Sequence, residues 1–212
     1  MHLLLKKVKV LCSDSKYHLK KKDIYIKNGI IEKIGDQIQV KGAITIEQKE
    51  LYVSAGWVEL FSDFCDPGAE QKEDLQSGSE AAAAGGYTDV CLVPSNHPPT
   101  TNKASVDYLK SKSELVQLHP IGAVSKQLEG KDLAEMYDMK AAGAIAFSDG
   151  VYPIQSAGLM AKALQYIKSF HGVILQIPDD KSISQFGYMH EGTGSTKLGL
   201  QGIPSIAETI FL

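Results

Sequence analysis

The chain has 212 residues, 43% hydrophobic and 22% charged, with a formal net charge of −3. That length suits one large domain or one and a half, and the composition is that of a globular protein without low-complexity tracts. The mildly acidic balance argues against nucleic acid or an anionic membrane as partner, and no apolar run reaches the roughly 18 residues of a membrane span.

Residues 1–53 read as β structure, a small sheet-based module. "KVKVLC" alternates apolar and polar, "DIYIKNGIIEKIG" holds two alternating runs joined by Asn28-Gly29, and "AITIE" alternates again. Asn-Gly between such runs predicts a hairpin, because both turn residues must accept positive φ. The basic stretch "KYHLKKKD" lies between strand-like runs and reads as a solvated hairpin. The start "MHLLLKKVKV" has too short an apolar stretch for a signal peptide, with no small-residue cleavage site after it. Cys12, Cys65 and Cys91 are odd in number and widely spaced, which suits reduced thiols and a cytoplasmic location.

Over residues 54–212 the rhythm becomes strand then helix. Strands are expected at "WVELF", "TDVCLVP", "LVQLHPIGAV", "GAIAFSD" and "GVILQIP". Helices are expected between them, at "KEDLQSGSEAAAAGG", "SVDYLKSKSEL", "KDLAEMYDMKAAG" and "SAGLMAKALQYIKSF", with Gly85-Gly86, Gly143 and Gly172 at their ends. Near-continuous apolar strands alternating with helices mean a parallel sheet covered on both faces. Five strands fall short of a closed (β/α)₈ barrel, and "AETIFL" stands in the middle of another helical pattern. The expectation is the N-terminal part of a longer barrel, or a sheet edge covered by a second copy or another chain, hence a homo- or hetero-oligomer. "HEGTGSTKLGL" reads as a structural loop, and Tyr87 as a core or interface residue.

The stretch "LYVSAGWVELFSDFCDPGAEQKEDLQSGSEAAAAGGYTDVCLVPSNHPPTTN" resembles dihydroorotases of the amidohydrolase superfamily, in the form found in multifunctional complexes. So do "HPIGAVS", "MKAAGAIAFSDG" and "YMHEGTGSTKLGLQGIPSIAE". The resemblance implies a (β/α)₈ amidohydrolase barrel, of which about five βα units are present, with the N-terminal strands in a small β-sandwich. It also implies chemistry on a cyclic amide by a zinc-bound hydroxide. Such a site needs imidazoles and carboxylates to fix the metal and lower the pKa of its water, plus an Arg and an Asn to grip the substrate carboxylate.

This sequence departs from the family's pattern at those positions. His-x-His followed by Phe-Arg-Glu-Pro-Gly aligns with Phe61-Ser62-Asp63 and Phe64-Cys65-Asp66-Pro67-Gly68. The arginine position is therefore Cys65. Pro-Asn-Thr aligns with Pro94-Ser95-Asn96, so the substrate asparagine position is Ser95, unless a one-residue slip brings Asn96 into it. The carboxylate motif is one Asp short, at Phe147-Ser148-Asp149-Gly150, and His-Cys-Glu-Asp aligns with Ile177-Pro178-Asp179-Asp180. Phenylalanine and isoleucine carry no lone pair and cannot be ligands. No zinc is expected. Trp57, Val58 and Leu60 are expected to pack the barrel while Phe61 fills the metal's space. Asp63 and Asp149 remain as candidates for a hard cation such as Mg²⁺ or Ca²⁺. His119 and His97 read as a hydrogen-bonded strand residue and a solvated loop residue.

Three functions follow from the resemblance. The first is a dihydroorotase homologue of pyrimidine biosynthesis that has lost catalysis and serves as a structural or regulatory partner, with aspartate carbamoyltransferase the first partner to test. The second is an active cyclic amidohydrolase with a carboxylate-rich site. The third is a non-enzymatic scaffold like the dihydropyrimidinase-related proteins.

Overall fold

The computed structural model describes residues 1–112 and 115–210. The ends of the second predicted helix and of the final helical pattern, residues 113–114 and 211–212, lie outside the described residues. The chain divides into two compact units, Met1–Gly56 and Trp57–Leu212.

The first unit is a five-stranded sheet of β1 (His2–Leu11), β2 (Lys21–Lys27), β3 (Ile30–Gly35), β4 (Ile44–Glu47) and β5 (Tyr52–Ser54). The order is β3-β2-β1-β4, with β5 also paired to β1. β2 and β3 are antiparallel across Asn28 (φ 50°) and Gly29 (φ 80°), the hairpin that the Asn-Gly pair predicts. One face buries Val8, Val10 and Ile24 together, with Leu5, Ile26, Ile34 and Val53 packed around them.

A bulge in β1 between Leu5 and Val8 puts Lys7 at φ 52°. Its N–H then donates to the buried Asp23 carboxylate at 2.9 Å. Asp23 also accepts from the Ile38 N–H at 2.9 Å and from the Lys6 ammonium at 2.5 Å. Burial pushes this carboxyl up, but Lys6 and the two N–H groups outweigh it and hold the group below the usual carboxylate range. A depressed folded-state pKa contributes stability that is present above the unfolded value, about 3.9, and lost as pH falls through the folded value. Asp23→Asn is therefore expected to lower stability at pH 7 by about 2–3 kcal/mol. Urea titrations of parent and variant below pH 4 check the sign, because the gap between them should shrink there.

The second unit alternates β6 (Trp57–Ser62), α1 (Leu75–Ala84), β7 (Tyr87–Leu92), α2 (Lys103–Lys110), β8 (Gln117–Gly122), α3 (Met136–Ala142), β9 (Ala146–Phe147) and α4 (Ala157–Lys168). It continues through α5 (Lys181–Ser184), β10 (Met189–His190), α6 (Thr193–Leu198), β11 (Gly202–Ile203) and α7 (Ile206–Thr209). β6, β7, β8 and β9 form one parallel sheet in chain order. Asp74 caps α1 by accepting from the N–H groups of Gln76 and Ser77, and Asn102 caps α2 through Ser105. Gly143 ends α3 in the left-handed conformation.

Alternate strand residues split between the two faces of the sheet. Val90, Leu92 and Leu118 face outward onto Leu75 of α1 and Leu109 of α2. Phe147 joins Met136, Met139, Leu159 and Ala163 of α3 and α4. Cys91, Ile121 and Ala146 pack together on the opposite, inner face. This is half of a parallel α/β barrel.

Three expectations are corrected. "GVILQIP" forms no full strand; Ile174 makes one parallel bridge with Phe147, flanked by two backbone hydrogen bonds of 2.8 Å. Pro178 lacks an N–H for any longer ladder. Trp57, Val58 and Leu60 do not pack a barrel interior: they are 59%, 53% and 67% exposed, because β6 pairs only with β7 among the described strands. "HEGTGSTKLGL" is not all loop but contains α6, which Ser195 caps through Gly192 and Gly199 ends in the left-handed conformation.

Candidate functional site at the carboxyl ends of the sheet strands

Parallel sheets deliver functional side chains to the carboxyl ends of their strands, and the motif positions gather there. The inner face forms an open cleft of about 440 Å³. Its lining includes Phe61, Cys91, Ile121, Ala146, Leu175 and Ile177, with Ser148 and Gln176 as polar groups. Phe61, 40% exposed, forms part of the wall rather than plugging a closed space. Gln176 is turned to the backbone of Ile154, accepting from its N–H at 3.4 Å and donating to its carbonyl at 3.3 Å.

Asp149 is buried at the end of β9. One carboxylate oxygen accepts from the N–H groups of Val124 and Ser125, both at 2.9 Å, and the other accepts from the Ser125 hydroxyl. Burial pushes this carboxyl above its ordinary range, and the three donors pull against that shift. Most of its lone pairs are thus taken by the protein. Asp63 is exposed and closes a short turn, accepting from the Cys65 N–H at 2.8 Å. Cys65 sits at φ 57°, and burial together with the Asp63 charge raises its thiol pKa. A neutral thiol cannot grip a carboxylate as an arginine does.

The Ser95 hydroxyl is shut from solvent against Gly150 and has no hydrogen-bond partner among the described residues. Asn96 is buried and donates to the Asp66 carbonyl at 2.8 Å, so its amide joins two loops instead of facing a ligand. The His97 N–H donates to the Pro67 carbonyl at 2.9 Å in the same junction. Gly68 (φ 111°) is required there, since a Cβ would collide with His97.

The centre of that clasp is Asp66, which the motif comparison leaves without a role. It accepts from the Tyr108 hydroxyl at 2.7 Å and from the Leu75 N–H at 3.3 Å. The hydrogen bond to Asp66, aided by burial, pushes the Tyr108 phenol up to about 12. Tyr108→Phe is expected to lower stability by about 1 kcal/mol, because the phenol is part-exposed and the bond's net worth is modest. Thermal unfolding of the variant checks this, and a loss above about 3 kcal/mol would give the bond a larger role. The signal available in the sequence is a carboxylate kept beside Pro67-Gly68.

His119 lies within β8, not at its end, and its Nε2 contacts Asp89 Oδ1 at 2.7 Å. It is a hydrogen-bonded strand residue. His97 is exposed in its loop. Tyr87 packs edge-on against Trp57 at 6.0 Å.

This donor set does not fit zinc. The aligned ligand positions carry a phenyl ring (Phe61), an exposed carboxylate (Asp63) and a sec-butyl side chain (Ile177), and the Asp149 carboxylate is committed to Ser125 and Val124. Among the described residues no three His, Cys, Asp or Glu side chains converge as a metal-holding group. A second signal stands in the composition: all 22 basic residues are lysine. The chain has no arginine with which to hold a substrate carboxylate by a two-pronged clamp.

The dihydro-orotase-like family model matches residues 51–212. A dihydroorotase of Thermoanaerobacter sp. (strain X514) is 41% identical over 193 residues, covering 90% of this chain and 45% of that protein. One of Geobacter sulfurreducens is 40% identical over 190 residues, covering 88% and 45%. The L-hydantoinase (dihydropyrimidinase) from Arthrobacter aurescens superposes with a TM-score of 0.67 at 22% identity, over 86% of this chain and 42% of that one. A crystal structure of a dihydroorotase superposes with a TM-score of 0.56 at 14% identity, over 79% and 49%. At such identities the superpositions speak for the amidohydrolase fold alone. The chain spans about 45% of the length of the curated relatives it matches. Among the described residues, no helix is long and apolar enough to cross a membrane.

Proposed function

The chain belongs to the dihydroorotase-like family, and on that footing we propose that it is a non-catalytic member acting as a structural or regulatory partner in pyrimidine biosynthesis. The proposed partner is aspartate carbamoyltransferase. The observation that carries the loss of catalysis is the fate of the donor positions. Phe61 and Ile177 wall an apolar cleft, and Asp149 spends its oxygens on Ser125 and Val124. Cys65, Ser95 and Asn96, the degenerate substrate positions, are engaged in turns and loop junctions or closed off from the cleft.

Titrating the protein into aspartate carbamoyltransferase tests the partnership, with sedimentation and carbamoyl-transfer rate as readouts. Complex formation with a changed rate or altered effector response supports it. No complex at concentrations near 100 µM, about −5.5 kcal/mol of binding, would remove this partner and leave the scaffold reading unconnected with pyrimidines. Turnover of dihydroorotate that depends on Asp63 and Asp149 would instead establish the active, carboxylate-rich alternative.

A further inference from the structure

Charge is divided unevenly between the two compact units. Residues 1–56 hold eleven lysines and six carboxylates, a net of +5, while residues 57–212 hold eleven lysines and nineteen carboxylates, a net of −8. Within the first unit the excess collects at one end of the sheet. Lys9 and Lys21 oppose each other directly across β1 and β2, and Lys16, His18 and Lys20 stand exposed in the connection between those strands, with Asp14 the one carboxylate there. Lys6, Lys7 and Lys22 of the same sheet are each paired with a carboxylate. Lys9 and Lys16 lie instead over the rings of Tyr52 and Tyr17, at 5.9 and 5.1 Å, and Lys20 donates to the Lys16 carbonyl at 3.1 Å. Like charges directly opposed on neighbouring strands destabilise a sheet. This end therefore carries an excess of positive charge, four lysines against Asp14, at some expense to its own stability.

The second unit has a complementary segment. From Asp63 to Glu80 there are six carboxylates, one of them the buried Asp66, and a single lysine, Lys72. Glu70 is held by the Gly68 N–H, Asp74 by the N–H groups of Gln76 and Ser77, Glu73 by the Ser77 hydroxyl and Glu80 by the Gln76 amide. All of these donors are neutral, and with Lys72 the six carboxylates leave the segment a net charge of −5.

We propose that these surfaces dock in trans: the lysine end of the N-terminal sheet of one copy binds the Asp63–Glu80 segment of a second copy, and reciprocally. Each copy offers both surfaces in equal number, which a two-fold pair can satisfy in a closed contact. A polyanion such as nucleic acid is the poorer occupant, since the chain's overall charge of −3 and the strongly negative second unit repel it. The inference goes beyond the functional reading above and holds whether or not the chain turns over a substrate.

Sedimentation of the full 212-residue chain at about 20 mM and about 500 mM NaCl spans screening lengths of about 20 Å and about 4 Å. The expected result is a dimer at low salt whose dissociation constant weakens about tenfold or more at high salt. Changing Lys16→Glu, Lys20→Glu and Lys21→Glu together abolishes self-association, as does Glu70→Lys, Glu73→Lys and Glu80→Lys together. Mixing the two reversed proteins restores a dimer, a result that general disruption of the fold cannot produce. Should either triple variant lose its circular-dichroism signature, glutamine at the same positions reads the same loss of association. A monomer at both salt concentrations, self-association indifferent to salt, or folded reversed proteins that fail to pair on mixing would each overturn the proposal.

Discussion

Replacing Asp149 by alanine is expected to destabilise the second unit by about 3–5 kcal/mol, about 10 °C in melting temperature for a unit of this size. The reason lies in what the carboxylate serves. Val124 and Ser125 are both fully buried, and their N–H groups, together with the Ser125 hydroxyl, converge on it. Truncation strands three buried donors and leaves a void at the junction of β8 and β9. Asp149→Asn keeps one acceptor oxygen for the two N–H groups and can donate to Ser125, so it should lose much less.

The pH dependence of this residue runs opposite to that of Asp23. Burial raises the Asp149 carboxyl, so the folded state holds its proton to higher pH than the unfolded chain. Its contribution is fully present below the unfolded value, about 3.9, and declines as pH rises through the folded value. Differential scanning calorimetry of Asp149→Ala and Asp149→Asn over pH 3 to 7 reads both effects. A variant Asp149→Ala melting within a degree or two of the parent would show that the Val124 and Ser125 donors find other partners.

The purified protein is expected to carry well under one zinc per chain and to turn over no dihydroorotate, and Phe61→His is expected to restore neither. Zinc needs three or four N, S or O ligands, whereas the aligned positions supply only Asp63 and the already committed Asp149. Ligands act as a unit, so one imidazole returned to a set lacking several recovers little. Elemental analysis with a turnover assay decides this. Stoichiometric zinc lost on mutating Asp63 or Asp149, or turnover above background in Phe61→His, would defeat the non-catalytic reading.

The family and the half-barrel were legible in the sequence because both rest on local rules. Alternation around Asn28-Gly29 specifies the hairpin, capping residues Asp74 and Asn102 start α1 and α2, and apolar runs between helices specify a parallel sheet. The replacements at Phe61, Cys65, Ser95 and Ile177 were likewise visible as residue types, and residue type alone decides whether a side chain has a lone pair to give. The absence of arginine was equally plain to see.

What the replaced site became was decided only by tertiary structure. Asp149 and Ser125 are 24 residues apart, and Asp66 and Tyr108 are 42 apart, yet each pair is within hydrogen-bonding reach. No spacing rule links such positions, because the contact depends on how β8 meets β9 and how α2 packs over the β6–α1 loop. The exposure of Trp57, Val58 and Leu60 was hidden for the same reason. Sequence pattern says which residues favour burial, but only the neighbours a strand finds determine whether β6 is covered.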